Sequence, residues 1–223
     1  MCGRFTLRVS PVELADLFGL ADLLPAESRY NIAPTQTVFA VRVNPAGNRE
    51  AAQLKWGLIP SWAADPKIGY RMINARSETA ADKPAFRHAF RRKGCLIAAD
   101  GFYEWQKSGG KKQPYFIRSA AAHPFAFAGL WELWNKGEEP IESCTILTTA
   151  ANDVMKPLHD RMPVILDPKD FDLWLDPSLQ DREKLEPLLV PYHEGLTAFP
   201  ISTFVNSPRN QGPKCIERAA GEG

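Results

Sequence analysis

Short runs of Val, Ile, Phe, Trp and Thr, each bounded by Gly, Pro or Asp, recur along the chain without a helix between every pair. They cover residues 37–43, 53–56, 95–99, 115–118, 125–133, 144–149, 163–166 and 196–201. Runs of this length and make-up read as strands. A doubly wound parallel sheet needs a crossover helix after nearly every strand, and this order does not supply one. The pattern predicts an α+β fold in which mostly antiparallel strands curl into a barrel-like core with helices around it. The helices are marked by their caps. Ser10-Pro11-Val12-Glu13 is a capping box with Pro at the first helical position, and Val12, Ala15, Leu17 and Phe18 supply an apolar face up to Gly19. A second helix starts near Pro84 and runs through Phe86 and Phe90 to Gly94. A third opens at Asp167-Pro168-Lys169-Asp170 and carries Phe171, Leu173, Trp174 and Leu175, and a fourth spans about residues 179–189.

At 223 residues, with 44% hydrophobic and 24% charged residues, the chain can bury one substantial core and is not disordered. A single domain over residues 2–215 is expected, with residues 216–223 as a flexible C-terminal tail. No eighteen-residue apolar stretch and no apolar h-region is present, so neither a membrane span nor a signal peptide is expected, and the cytoplasm is the default compartment. Cys2, Cys95, Cys144 and Cys215 form no CxxC pair, which predicts free thiols and argues against a metal site. No phosphate-loop, dinucleotide-binding or zinc-protease motif occurs, and no cofactor is expected. His88, His123 and His193 stand at no metal-ligand spacing.

The formal net charge is +1, which by itself argues against coating nucleic acid by bulk charge. The distribution is uneven. Residues 67–93 hold eight bases against two acids, a local charge of +6. Residues 132–194 hold six bases against fourteen acids, a local charge of −8. The basic stretch is either a solvated helix face or a phosphate-binding patch.

Cys2 carries the most chemistry. Removal of Met1 would expose a free α-amine and a thiol on adjacent carbons, with ordinary pKa values of about 7.7–8.0 and about 8.5. Such an aminothiol takes an aldehyde in two steps, a Schiff base and then a five-membered thiazolidine ring, because the second nucleophile is held beside the first. The plain alternative is that Cys2 is merely the second residue of a buried first strand. Four other segments bear on the choice. In Met72-Ile73-Asn74-Ala75-Arg76-Ser77-Glu78, an extended backbone points Asn74 and Arg76 the same way, an amide to orient a reacting group and a guanidinium to hold phosphate. Asp100-Gly101-Phe102-Tyr103-Glu104-Trp105 sets Glu104 among aromatics, where partial desolvation suits a general acid/base. Leu158-His159-Asp160-Arg161-Met162-Pro163 places His159 where it could donate to a sugar oxygen or shuttle a proton. Trp56-Gly57-Leu58-Ile59-Pro60-Ser61-Trp62 puts aromatics in a Pro/Gly-rich loop, as a base-stacking platform would. Taken singly, each also reads as core, cap or surface.

As a set, Met1-Cys2-Gly3-Arg4, Arg29-Tyr30-Asn31-Ile32-Ala33-Pro34, Trp56-Gly57-Leu58-Ile59-Pro60, Ile73-Asn74-Ala75-Arg76-Ser77-Glu78, Gly101-Phe102-Tyr103-Glu104-Trp105 and His159-Asp160-Arg161-Met162-Pro163 resemble the SRAP family, the SOS-response-associated peptidases. The resemblance runs from Met1 to about Lys214. It implies a protein that shields abasic sites in single-stranded DNA by a thiazolidine crosslink to Cys2. By motif, Asn74 positions the amine, Glu104 is the general acid/base and His159 binds or protonates the deoxyribose oxygen. Arg4, Arg76 and Arg161 match phosphate-contacting positions, and Trp62 and Trp105 lie where they could stack on bases. The resemblance further implies autoproteolysis that exposes Cys2, lyase-like activity, and action as a monomer in the cytoplasm, at the nucleoid for a bacterial chain. Two other readings compete: an N-terminal-nucleophile cysteine hydrolase, which also begins Met-Cys-Gly, and a non-catalytic reader of nucleic acid.

Overall fold

The computed structural model describes residues 2–22, 25, 27–179 and 181–219. In chain order the elements are β1 (Phe5–Leu7), α1 (Pro11–Phe18), β2 (Arg29–Ile32), β3 (Thr37–Val43), β4 (Arg49–Trp56), β5 (Asn74–Arg76), α2 (Ser77–Ala80), α3 (Arg87–Arg92), β6 (Gly94–Ala99), β7 (Gly101–Ser108), β8 (Lys111–Ser119), β9 (Phe125–Trp134), β10 (Ile141–Ala150), β11 (Arg161–Pro163), β12 (Ile165–Leu166), α4 (Phe171–Leu175), α5 (Arg182–Leu185) and β13 (Leu196–Pro200).

A strand as apolar as β9 has to be paired along both edges and covered on both faces. It pairs antiparallel with β6 on one side, Cys95 opposite Gly129, and with β10 on the other, Cys144 opposite Trp131. β6 pairs with β3, and β3 with β4. β4 then returns to β10 in parallel, Trp56 opposite Cys144. The ring β9–β6–β3–β4–β10 therefore closes, and closure removes the exposed edges of an open sheet. A second, antiparallel sheet in the order β13–β8–β7–β1–β2 packs beside the barrel. Phe5 on β1 meets Trp56 and Phe127 of the barrel edge-on, with ring centroids 5.1 and 5.7 Å apart. The α+β, barrel-like expectation is the observed fold.

The capping box forms as expected: Ser10 accepts from the Glu13 N–H, Glu13 returns to the Ser10 N–H, and Gly19 closes the helix at φ 62°. The helix expected from Pro84 is shorter, since regular α-helix begins at Arg87. The fourth helix is reduced to α5 and a following 3₁₀ turn. Trp56, read as part of a stacking platform, is fully buried and its Nε1 donates to the Ile73 carbonyl at 2.8 Å. Of the tail expected from residue 216, residues 216–219 are described and lie against the end of β13. Ile201 bridges Arg218, the Ala219 N–H reaches the Pro200 carbonyl at 3.1 Å, and Arg218 lies 4.2 Å from the Phe199 ring centre. Residues 220–223 lie outside the described residues. All four cysteines are buried and free. No helix among the described residues is long and apolar enough to cross a membrane.

One glycine limits how the site-bearing loop can pack. Gly57 has φ 131°, and a Cβ there would lie 2.6 Å from the Gly69 carbonyl oxygen. Both the conformation and the contact exclude a side chain. We expect Gly57→Ala to cost about 1–3 kcal/mol or more, read as a lowered urea midpoint with an unchanged slope.

Candidate active site

β1 has three residues and cannot hold its position alone. It is fixed by pairing with β7, Phe5 opposite Phe102 and Thr6 opposite Gly101, and by the Tyr103 N–H donating to the Arg4 carbonyl at 3.0 Å. Continuing this register past Arg4 would set Gly3 opposite Glu104 and Cys2 opposite Trp105. A carboxylate locks the register. Asp100, in the step from β6 to β7, accepts from Thr6 Oγ1 and from Arg8 Nε, each at 2.6 Å.

Cys2 is buried, its Sγ 3.8 Å from the Arg4 carbonyl oxygen. Burial pushes the thiol up to about 12, and the charge of Glu104 adds to the rise. The thiol is therefore protonated at neutral pH. Asn74, at the start of β5, donates from Nδ2 to the Cys2 carbonyl at 2.8 Å. Its Oδ1 is buried with no hydrogen-bond partner among the described residues. β5 runs parallel to β10 with Asn74 opposite Ile146 and Arg76 opposite Thr148, so the extended backbone inferred for this segment is present. Arg76 is exposed.

Glu104 is buried on β7. Strand alternation puts Gln106 on the same face, and Gln106 Nε2 donates to the Pro157 carbonyl at 3.2 Å. The face that carries Glu104 thus meets the turn that leads to His159. His159 Nδ1 has two neighbours with opposite demands. The Arg161 N–H donates to it at 3.0 Å, while an Asp160 carboxylate oxygen lies 2.8 Å away. The neutral, Nε2-protonated ring satisfies the first, and the imidazolium satisfies the second.

Arg4 and Trp105 lie on the other side of β7. The Arg4 guanidinium is 5.7 Å from the Trp105 ring centre and donates to Asn31 Oδ1 at 2.6 Å. With Lys112 and Asn206 they line a cavity of about 350 Å³. Arg161 has a different setting from that expected of a phosphate ligand. Its guanidinium faces inward, bidentate on Glu78 at 2.6 and 2.8 Å and bonded to the Thr148 carbonyl. Trp62 stands apart from Cys2 in a groove beside α3. The structure thus brings Cys2, Asn74 and Glu104 together directly and sets the His159 turn against β7. Among the described residues no group of three or more His, Cys, Asp or Glu side chains comes together as metal ligands would.

Asn31 was legible only as part of a motif, yet it organises one wall. It is fully buried, and its Nδ2 donates to the carbonyls of Val205, Ser207 and Asn210 at 3.2, 2.9 and 2.9 Å. Asn31→Ala would strand these acceptors and loosen Arg4. A cost of about 1–3 kcal/mol is expected, with amide exchange accelerated over residues 205–210 ahead of the barrel.

The family model described as SOS response associated peptidase (SRAP) matches residues 1–208. Abasic site processing protein YoqW of Bacillus subtilis is 44% identical over 223 residues, covering 97% of this chain and 99% of the relative. Abasic site processing protein YoaM of the same organism is 43% identical over 223 residues, covering 97% and 98%. A crystal structure of a protein from Bacteroides thetaiotaomicron superposes with a TM-score of 0.87 at 26% identity, over 98% of this chain and 100% of that one.

Proposed function

The chain belongs to the SRAP family, and we propose that it processes abasic sites in single-stranded DNA by capturing their open-chain aldehyde on Cys2. The observation that carries this reading is the clamp on Cys2, whose carbonyl is held by Asn74 while the Glu104 charge bears on its thiol. The names of the relatives YoqW and YoaM agree with it.

Removal of Met1 frees the α-amine of Cys2, a group whose reference pKa in model peptides is about 7.7–8.0. The buried thiol is neutral, so the amine is the first nucleophile. His159 delivers a proton to the deoxyribose ring oxygen as the ring C–O bond breaks, and the Glu104 carboxylate takes the proton of the C1 hydroxyl, leaving the aldehyde. The amine adds to C1, aided by Asn74 Oδ1 as acceptor for its N–H. Glu104 gives a proton to the departing hydroxyl, water leaves, and a Schiff base remains. The thiol then adds to the same carbon. The Schiff base keeps its N–H as an iminium, so as the C–S bond forms the electron pair returns to nitrogen and the Glu104 carboxylate takes the thiol proton. Aldehyde plus aminothiol gives thiazolidine plus one water, with no oxidant or cofactor. Arg76, Arg4 and Trp105 supply a short, sequence-tolerant track for phosphates and a base. Arg161 serves as a positioning residue that holds Glu78 and the β10 edge beside β5.

Mixing the protein with an abasic single-stranded oligonucleotide should give a slow-migrating species on a denaturing gel. Its intact mass should equal protein plus oligonucleotide less one water, with the adduct mapping to Cys2. Cys2→Ala should lose this species and keep non-covalent binding. Absence of the species from the Met1-free wild type, together with Cys2-dependent glutamine or peptide hydrolysis, would transfer the assignment to the hydrolase reading.

Glu104→Gln separates thiolate supply from proton transfer. Losing the carboxylate removes one cause of the raised thiol pKa, so the pKa falls and more thiolate is present at a given pH. We nonetheless expect capture to slow by about 10²-fold or more, the usual scale of general acid/base catalysis. Single-turnover crosslinking rates decide the point, and a faster rate in Glu104→Gln would remove Glu104 from that role.

A further inference from the structure

A cavity of about 630 Å³ opens where the ends of β8 and β12 and the lead into β13 meet α1 and α4. Ser119, which lines it, lies four residues along β8 from Tyr115, the partner of Glu104. At the rise of a strand that is about 13 Å. The cavity is separate from the Cys2 clamp and shares no lining residue with it.

Its apolar lining is built into the core. Phe125, Leu166 and Phe171 are buried. Phe171 stacks on Phe18 with ring centroids 5.6 Å apart, and Phe125 packs against Phe102 and Phe127. A lining anchored this way is formed before anything binds, and its volume is that of a ligand pocket. Ala120, Ala121 and Pro168 also line the cavity and are exposed, so the apolar surface continues past its mouth.

Two carboxylates converge on the same lining from different segments. Asp167 follows β12, and Glu194 comes two residues before β13. Burial pushes the hydroxyl of Tyr192, another lining residue, up, and the charges of Glu194 and Asp167 add to the rise. Lys169 is bonded to Asp167 at 3.0 Å, and the charges of Asp170 and Glu194 bear on it as well. Three carboxylates therefore face one ammonium. The balance is negative whether or not the His123 imidazole, which also lines the cavity, carries a proton.

We propose that this cavity docks an extended segment of a partner protein, one large apolar side chain filling it and flanking lysines or arginines meeting Asp167 and Glu194. An aromatic anchor seated in a pocket is the usual way such a segment is held. A purely apolar segment would desolvate the carboxylates without pairing them. An anionic one would be repelled, nucleic acid included, so the surface does not compete with DNA for the protein. A small organic cation would leave the exposed surface of Ala120, Ala121 and Pro168 bare, whereas a chain running past the mouth covers it. The proposal is independent of the abasic-site reading.

The test follows backbone amide shifts by NMR while acetyl-Lys-Trp-Lys-amide is added to the full chain. Saturable shifts should gather at residues 119–121, 166–167 and 194–195. Acetyl-Glu-Trp-Glu-amide and acetyl-Lys-Ala-Lys-amide should give none there. Asp167→Asn/Glu194→Gln should weaken the basic peptide about 2- to 30-fold, the scale of two exposed ion pairs. Ala121→Phe, a change at an exposed position, should block the mouth and abolish the shifts while leaving the urea midpoint and the crosslink yield at wild-type values. No saturable shift with the basic peptide, equal shifts with either control peptide, or an unchanged affinity in the double variant would each overturn the proposal. Tryptamine binding as tightly as the tripeptide would reassign the cavity to a small cation. A concentration-dependent dimer in sedimentation, lost in Ala121→Phe, would reassign it to a second copy of this chain. Failure of wild type to crosslink abasic DNA would refute the abasic-site reading alone.

Discussion

The register between β1 and β7 is the constraint on which the site depends. β1 is too short to choose its own pairing, and a slip of one residue would turn Phe5 away from Trp56 and Phe127 and shift Cys2 relative to Asn74. Asp100 prevents the slip by binding Thr6 on β1 and Arg8 just after it, from the step between the barrel and the second sheet. That carboxylate is buried, so its two partners must be in place for it to be tolerated as an ion. Next to it, Gly101 has no room for a side chain, since a Cβ would lie 2.2 Å from the Phe116 ring. A close approach and a buried ion pair together set the depth and register at which the N-terminus enters the protein.

The same geometry shapes the chemistry. A Cys2 thiolate would be poorly solvated and would sit near the Glu104 charge, which is why the thiol is held protonated. A free thiolate would be more nucleophilic towards any electrophile and more readily oxidised. A neutral thiol beside a carboxylate reacts when an imine carbon is placed against it and the proton has somewhere to go. In the proposed mechanism, selectivity for aldehydes over other electrophiles arises from this order of events and from the α-amine acting first.

Much of this was legible in the residues, but unevenly. The capping box at Ser10 and the apolar runs at residues 125–133 and 144–149 are local signals, and local physics realises them. Barrel closure is not local, because it depends on a parallel β4–β10 pairing between segments far apart in sequence. β7 was missed as a strand because Glu104, Gln106 and Lys107 dilute its apolar pattern, and pairing with β1 and β8 overrides that pattern. The Cys2, Asn74 and Glu104 cluster was reachable through the motif set, although no spacing between positions so distant could show that they touch. Arg161 could not be sorted from sequence between a phosphate ligand and an internal clamp. Its motif fits either, and the presence of Glu78 and Thr148 decides where the guanidinium goes. Trp56 ends β4 and Trp62 follows six residues later in the loop, and the Trp56–Ile73 hydrogen bond and packing against Phe5 separate a core residue from an exposed one.

The near-neutral total charge now has a physical reading. It is a sum over two regions that exchange partners: arginines of the acidic stretch, Arg161 and Arg182, neutralise the two acids of the basic one. The exchange leaves Arg76, Arg87, Arg91 and Arg92 without carboxylates among the described residues and concentrates uncompensated positive charge in the stretch that carries Asn74 and Trp62. A uniformly basic surface would bind any DNA and lower the fraction of protein free to find a lesion. A local tract of unpaired arginines instead directs attraction to the stretch that carries Asn74, and in the proposed mechanism the covalent bond, once formed, no longer depends on electrostatics for its lifetime.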